Sequence, residues 1–179
     1  MKEISYVNSF ITNPDELFNS LKTELVWVHR DATPRMEYYV NSVNVPYTYG
    51  SKFPRTYEPQ NDHFAIKTIR DAVEKFLDTK FEVCFLNRYL NQSDHLGWHA
   101  DDSPEMDDDR PIAIISLGVE REIWFRQNES DEIIKQKLAH GSLCVMSKGM
   151  QDTHKHRIPK AGFMCGERIS LTFRGYKGL

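Results

Sequence analysis

The sequence predicts an α+β fold: two amphipathic helices packed outside a strand-rich core that closes as a sandwich or barrel. Two observations carry this. Apolar residues recur at helical spacing in two segments of the first 80 residues. From residue 81 onward, aromatic and β-branched runs of strand length follow one another closely, with turn residues between them. Helices first and strands after is an α+β order, unlike the alternation of a βαβ chain.

The first helix is expected over residues 13–25 (NPDELFNSLKTEL). Asn13 is placed to cap it, Pro14 to take the first helical position, and Asp15 and Glu16 to face the positive end of the helix dipole. Leu17, Leu21 and Leu25 recur every four residues and form its buried stripe. Residues 31–60 mix tyrosines with Pro34, Pro46, Gly50, Pro54 and Pro59, the composition of a hairpin or ordered loop. A second helix is expected over residues 62–80, capped by Asp62, with Ile66, Ile69, Val73, Phe76 and Leu77 on one face. Strands are expected over residues 81–90, 110–119, 121–127, 135–147 and 168–176.

The chain has 179 residues, enough for one domain with a hydrophobic core that needs no disulfide or structural metal. Cys84, Cys144 and Cys165 are odd in number and far apart, so they read as reduced, buried thiols. No apolar run approaches the roughly 18–20 residues of a membrane span. The first residues carry acids early and lack the apolar stretch of a secretory signal. The expected location is the cytoplasm, or the nucleus in a eukaryote, with no membrane contact, no secretion and no obligate protein partner. Net charge is -3, so a nucleic-acid role has to rest on local basic patches.

The chemistry concentrates in GWHADDSP (97–104). His99 and Asp101 are separated by one residue, and on an extended segment such positions point the same way. One imidazole and one carboxylate then face a single metal from one strand edge. His156, in THKHRIPK, is the best candidate for a second imidazole; His154 is its neighbouring rival, and His140 reads as structural. Two histidines and a carboxylate leave open positions, the arrangement of non-haem Fe(II) oxygenases, with room for a 2-oxo acid and O2. Zinc is the competing metal, although catalytic zinc usually keeps one open position. Arg168, Ser170, Thr172 and Arg174 share one face of a late strand, and inward arginines need anionic partners. Asn87 and Tyr89 share a face of the strand just before the His-x-Asp turn.

The order NRY, WHADD, HGSLCVM, HKHRIPK, RISLTFR resembles the AlkB-like dioxygenases, which reverse alkylation damage on nucleobases. PRMEYYVN (34–41) and VPYTYG (45–50) resemble the base-recognition hairpin of that family's eukaryotic repair branch. The resemblance implies a double-stranded β-helix (jelly-roll) core with flanking helices and an amino-terminal nucleotide-recognition lid. It implies one dioxygenase domain over 1–179, with helices and lid in 1–80 and the catalytic core in 81–179. Carried over by residue, it makes His99, Asp101 and His156 the Fe(2+) ligands. Arg168 and Arg174 become the partners of the 2-oxoglutarate carboxylates, with Asn87, Tyr89 and Ser170 beside them. Tyr49 becomes the ring that stacks on the target base, with Tyr47, Arg35 and Asp102 as further substrate contacts.

The implied reaction couples decarboxylation of 2-oxoglutarate by O2 to oxidation of an N-methyl group. It yields succinate, CO2, formaldehyde and the restored base. The target base has to be flipped out or single-stranded. Arg30, Arg35, Lys52, Arg55, Lys155, Arg157 and Lys160 are candidate phosphate contacts, and the acidic run 105–110 is expected to be a solvated loop. Two positions depart from the family: Ser170 replaces an asparagine, and Ser103 replaces an acid that contacts the damaged base. Either Asp102 or Glu105 then supplies that acid, or the base preference differs. The alternative is the same iron chemistry on a small molecule or protein side chain; a non-catalytic binding module fits the intact motifs less well.

Overall fold

The computed structural model describes residues 3–30, 33–49 and 53–178. Gly50 and the candidate phosphate contact Lys52 lie outside the described residues. The elements in chain order are β1 (Ile4–Val7), α1 (Pro14–Glu24), β2 (Met36–Asn41), β3 (Tyr47–Tyr49), β4 (Arg55–Tyr57), α2 (Phe64–Leu77), β5 (Val83–Tyr89), β6 (Leu96–His99), β7 (Ile112–Gly118), β8 (Arg121–Gln127), β9 (Ile133–Leu138), β10 (Ser142–Met146), α3 (Met150–Thr153), β11 (His154–Ile158) and β12 (Arg168–Arg174).

Two sheets carry the architecture. The larger runs β1-β10-β7-β12-β5-β2, the smaller β6-β11-β8-β9, and among the described residues β3 pairs with β4 alone. Strands β5 to β12 are shared between the two sheets in the double-stranded β-helix pattern, β5, β7, β10 and β12 in one and β6, β8, β9 and β11 in the other. Strand β7 (IAIISLG) is apolar nearly throughout because both of its faces are covered. Ala113, Ile115 and Leu117 pack under the helices with Leu17, Leu21, Ile66 and Ile69. Ile112 and Ile114 face the smaller sheet and meet Ile123, Phe125 and Leu138. The result is a helix layer, a six-stranded layer and a four-stranded layer, with the cavity between the sheets.

Local differences from the sequence expectations have physical reasons. In α1, Asn13 holds the N-cap position, but its side chain makes no capping bond. In α2 the cap is His63, whose Nδ1 accepts from the Ala65 N–H at 3.1 Å, while Asp62 binds Arg70 at 2.8 Å. Phe76, expected on the buried face of α2, is exposed and meets Phe10 edge-on at 5.2 Å. The stretch 135–147 is two strands in different sheets, β9 and β10, divided at Gly141, which adopts φ 78. Residues 36–41, read as part of a hairpin or loop, form β2 and pair with β5 at the edge of the large sheet. With β1, the first 80 residues thus supply two strands to the sandwich as well as both long helices.

Candidate active site

Strands β6 and β11 pair so that His99 sits directly opposite His156. Asp101 follows two residues later, at the start of the loop that leaves β6. Its Oδ1 lies 3.5 Å from His99 Nε2 and its Oδ2 3.5 Å from His156 Nε2. One ligand-capable atom from each of the three falls within 4.8 Å of the others. The His99 Nδ1–H donates to the Gly97 carbonyl at 2.8 Å, which turns the Nε2 lone pair toward the cluster. Burial, with His99 alongside, pushes His156 down to about 3, so its imidazole is neutral at physiological pH. Burial alone would raise the Asp101 carboxyl, but Arg174 and the two imidazoles hold it well below the usual carboxylate range. Two imidazole nitrogens and one carboxylate oxygen are a donor set that fits a divalent iron.

His154 is also buried but turns elsewhere, its Nδ1 2.7 Å from the Thr153 hydroxyl and its Nε2 3.4 Å from a Glu3 carboxylate oxygen. His140, in the turn between β9 and β10, binds the Gly118 N–H and Asp15, a structural role.

Strand β12 carries Arg168, Ser170, Thr172 and Arg174 into the same cavity. Arg168 is fully buried; its Nη2 donates to Ser116 Oγ at 2.8 Å, and its Nε and Nη1 have no partner. Arg174 Nη2 donates to the Asp101 main-chain carbonyl, and its Nε also lacks a partner. Buried guanidinium donors left unpaired are costly, and an anion with two carboxylates would satisfy both. A dicarboxylic 2-oxo acid therefore fits this end of the cavity. Tyr89 lies beneath Arg168, ring to guanidinium 5.3 Å. Asn87 lines the cavity with its Oδ1 accepting from Arg35 Nε at 2.9 Å, which leaves the amide NH2 for a ligand.

The β3–β4 hairpin closes the opposite end. The Tyr49 ring stands edge-on to His99 with centroids 6.3 Å apart. It is half-buried, and burial pushes its hydroxyl up to about 12. Tyr47 is deeply buried, stacks on Tyr57 at 6.2 Å, and shares a 2.8 Å hydrogen bond with the Ser103 hydroxyl. Ser103 thereby ties the lid to the His-x-Asp loop.

Two expected substrate contacts sit differently. Arg35 is a buried wall residue, bonded to Asn87 and to the His95 carbonyl, so it does not present a guanidinium to a surface phosphate. Asp102 is exposed, and neither it nor Glu105 lines the cavity. Among the described residues, the two carboxylates that line the cavity are Asp101 and Glu37. Glu37 is absent from the expected site residues because the composition of residues 31–60 reads as hairpin or loop; its alternation with Tyr39 on one face of β2 is the available signal. Gln151 was also missed. Its Oε1 accepts from the Asp101 N–H at 2.9 Å, bracing the carboxylate from behind.

On the outer face of the small sheet, Lys155 and Arg157 alternate with His156 and point away from the cavity. Trp98 is flanked by Arg126 at 4.7 Å and Arg157 at 4.9 Å, and Trp124 by Arg157 at 4.5 Å and Lys135 at 4.2 Å. Lys155 sits directly opposite Arg126, a like-charge cross-strand pair. Among the described residues, none of these four cations forms an ion pair.

The profile of the 2OG-Fe(II) oxygenase superfamily matches residues 17–174. The chain belongs to the 2OG-Fe(II) oxygenase superfamily. Its relatives by sequence are AlkB-like proteins. It is 28% identical over 179 residues to the DNA oxidative demethylase ALKBH2 of Bos taurus, covering 89% of this chain and 63% of that protein. It is 31% identical over 141 residues to the alpha-ketoglutarate-dependent dioxygenase alkB homolog 3 of Homo sapiens, covering 73% and 48%. The chain thus spans roughly half to two-thirds of the length of these relatives. The fold matches the structure of OsALKBH1, with a TM-score of 0.63 at 16% identity over 97% of this chain and 98% of that one. It also matches a prolyl hydroxylase from Trichoplax adhaerens solved with a peptide of hypoxia inducible factor, with a TM-score of 0.66 at 12% identity over 98% and 84%. This 2OG-Fe(II) oxygenase has no helix, among its described residues, long and apolar enough to cross a membrane.

Proposed function

We propose that this chain oxidatively demethylates N-alkylated nucleobases in DNA or RNA, as a single dioxygenase domain acting in the cytoplasm or nucleus. His99, Asp101 and His156 hold Fe(II), and Arg168 and Arg174 anchor the two carboxylates of 2-oxoglutarate. Bound iron with 2-oxoglutarate and O2 supplies the oxidation of the N-methyl group, and the oxidised carbon leaves as formaldehyde. The chain's residues bind, orient and enclose. Arg174 keeps Asp101 ionised and grips its main chain at the same time. Gln151 fixes the loop that carries the carboxylate. Asn87, Tyr89 and Ser170 line the cosubstrate end, and Tyr49 offers the base a ring beside His99.

One observation carries the reading: the cavity with the His-Asp-His cluster has unpaired arginine donors at one end and a tyrosine lid at the other. The relative named a DNA oxidative demethylase, ALKBH2, supports the same reading. The cation-rich outer face of the small sheet, with Lys155 and Arg157, offers phosphate contacts that the net charge of -3 does not suggest. The prolyl-hydroxylase fold match and Ser103 are compatible with the second reading, in which a small molecule or protein side chain is oxidised. The deciding experiment supplies Fe(II), 2-oxoglutarate and methylated DNA or RNA oligonucleotides and follows the base mass. Loss of one methyl group with matching succinate is expected. Succinate formation with no change in any oligonucleotide would remove the nucleobase reading and leave the iron chemistry.

A further inference from the structure

Glu37 is 2% exposed, lines the cavity, and has one carboxylate oxygen that accepts no hydrogen bond and is held only by a long ion pair with Arg30. Its Oε2 accepts from the Tyr57 hydroxyl at 3.0 Å and lies 3.6 Å from Arg35 Nη2. Its Oε1 has no hydrogen-bond partner; the nearest cation, Arg30 Nε, is 4.0 Å away. Arg35 does not clasp this carboxylate in a two-pronged pair, because its Nε and Nη1 donate to Asn87 and to the His95 carbonyl. A buried carboxylate with an empty lone pair is costly. It becomes favourable once a donor or a positive charge arrives from the cavity.

Its location says what arrives. Across the large sheet, Glu37 is opposite Asn87, Asn87 opposite Ser170, and Ser170 opposite Ser116. Glu37 is therefore on the edge strand beneath the lid, while Arg168 binds Ser116 on the far side of that row. A dicarboxylate would be repelled by Glu37 and drawn to the arginines. The lid side is walled by Tyr47, Tyr49 and Tyr57, flat surfaces suited to a planar ring.

Accepting the nucleobase reading above, we propose that Glu37 is a specificity-determining residue that selects bases made cationic by N-alkylation. Alkylation at N3 of cytosine fixes a positive charge on the ring and leaves an amino edge to donate. Alkylation at N3 of thymine gives a neutral ring without that donor. The acid that reads the base thus comes from strand β2. It does not come from the loop after Asp101, where Asp102 faces solvent and Ser103 is bonded to Tyr47.

The test compares kcat/KM on two otherwise identical oligonucleotides, one with N3-methylcytosine and one with N3-methylthymine, for the wild type, Glu37→Gln and Glu37→Asp. The wild type should prefer the cationic base. Glu37→Gln should lower the ratio roughly tenfold or more, the worth of a hydrogen bond to a charged group, and Glu37→Asp should keep part of the preference. Apparent 2-oxoglutarate affinity should hold. Equal loss on both oligonucleotides in Glu37→Gln marks a structural carboxylate and overturns the proposal, as does a wild type with no preference, a result that needs no variant to fold. A wild type that turns over neither oligonucleotide fails at the earlier step and takes the nucleobase reading down with it.

Discussion

The imidazoles of His99 and His156 face each other directly across the β6–β11 ladder, with ring centroids 4.2 Å apart. The strand pairing itself therefore sets their separation, and Asp101 needs only one residue of spacing to complete the cluster. His156→Ala should abolish Fe(II) retention after anaerobic dialysis, a loss beyond the roughly 10- to 100-fold that removing an outer partner costs. His154→Ala should retain the metal, since His154 turns toward Thr153 and Glu3. The opposite pattern would reassign the ligand.

Gln151→Leu keeps much of the side-chain bulk but removes the acceptor for the Asp101 N–H. Metal affinity should fall about 10- to 100-fold, the range for an outer hydrogen-bond partner. Titration with Mn(II), read by electron paramagnetic resonance, gives the number; an unchanged affinity would mean that the loop holds Asp101 without help.

Arg168→Ala and Arg174→Ala should each weaken 2-oxoglutarate binding by about 2–5 kcal/mol, thirtyfold or more, since each removes one partner of a shielded charge pair. Anaerobic calorimetry on the metal-loaded protein measures this directly. Arg174→Ala should carry a second defect in metal retention, because Arg174 also grips the Asp101 main chain. Arg168→Ala should not, since Arg168 bonds to Ser116.

Tyr49→Ala should lower turnover on methylated oligonucleotides by about 1–3 kcal/mol, the worth of one base–aromatic stack. Decarboxylation of 2-oxoglutarate without nucleic acid should change far less. Equal loss in both assays, with a lower Tm, would show Tyr49 to be packing for the hairpin alone.

Lys155→Ala and Arg157→Ala, combined, should flatten the salt dependence of oligonucleotide binding. Each lost phosphate contact reduces the slope of log K against log salt by about 0.7–0.9. Fluorescence anisotropy at several salt concentrations reads it, and a slope that does not move would place the phosphates elsewhere.

The sequence made the centre of the site legible and its periphery less so. His99, Asp101, Arg168 and Arg174 could be read because spacing on an extended strand determines which way a side chain points. Long-range pairing was not readable: His156 was chosen over His154 by motif, and only the β6–β11 register brings it opposite His99. The split of residues 135–147 between two sheets was hidden because β9 and β10 run nearly on from each other, with Gly141 as the single turn signal. The lid was the hardest part. Prolines and glycines around β2 masked its strand character, and with it the alternation of Glu37 with Tyr39 on one face. Proximity in sequence to Asp101 says nothing about which side of a loop faces the cavity, and Asp102 faces outward.

Among the described residues, the ladder of β3 and β4 has no third strand, whereas β12 lies between β7 and β5 deep in the large sheet. A ladder without a third strand opens at low free energy, and a central strand opens only when the molecule unfolds. Amide hydrogen exchange should therefore be fast across the hairpin and slow along β12, on the same molecule at the same moment. The two ends of one cavity then keep different clocks. The arginine end should then stay set while the tyrosine end opens, so that large cargo would come and go without disturbing the groups that hold the small one.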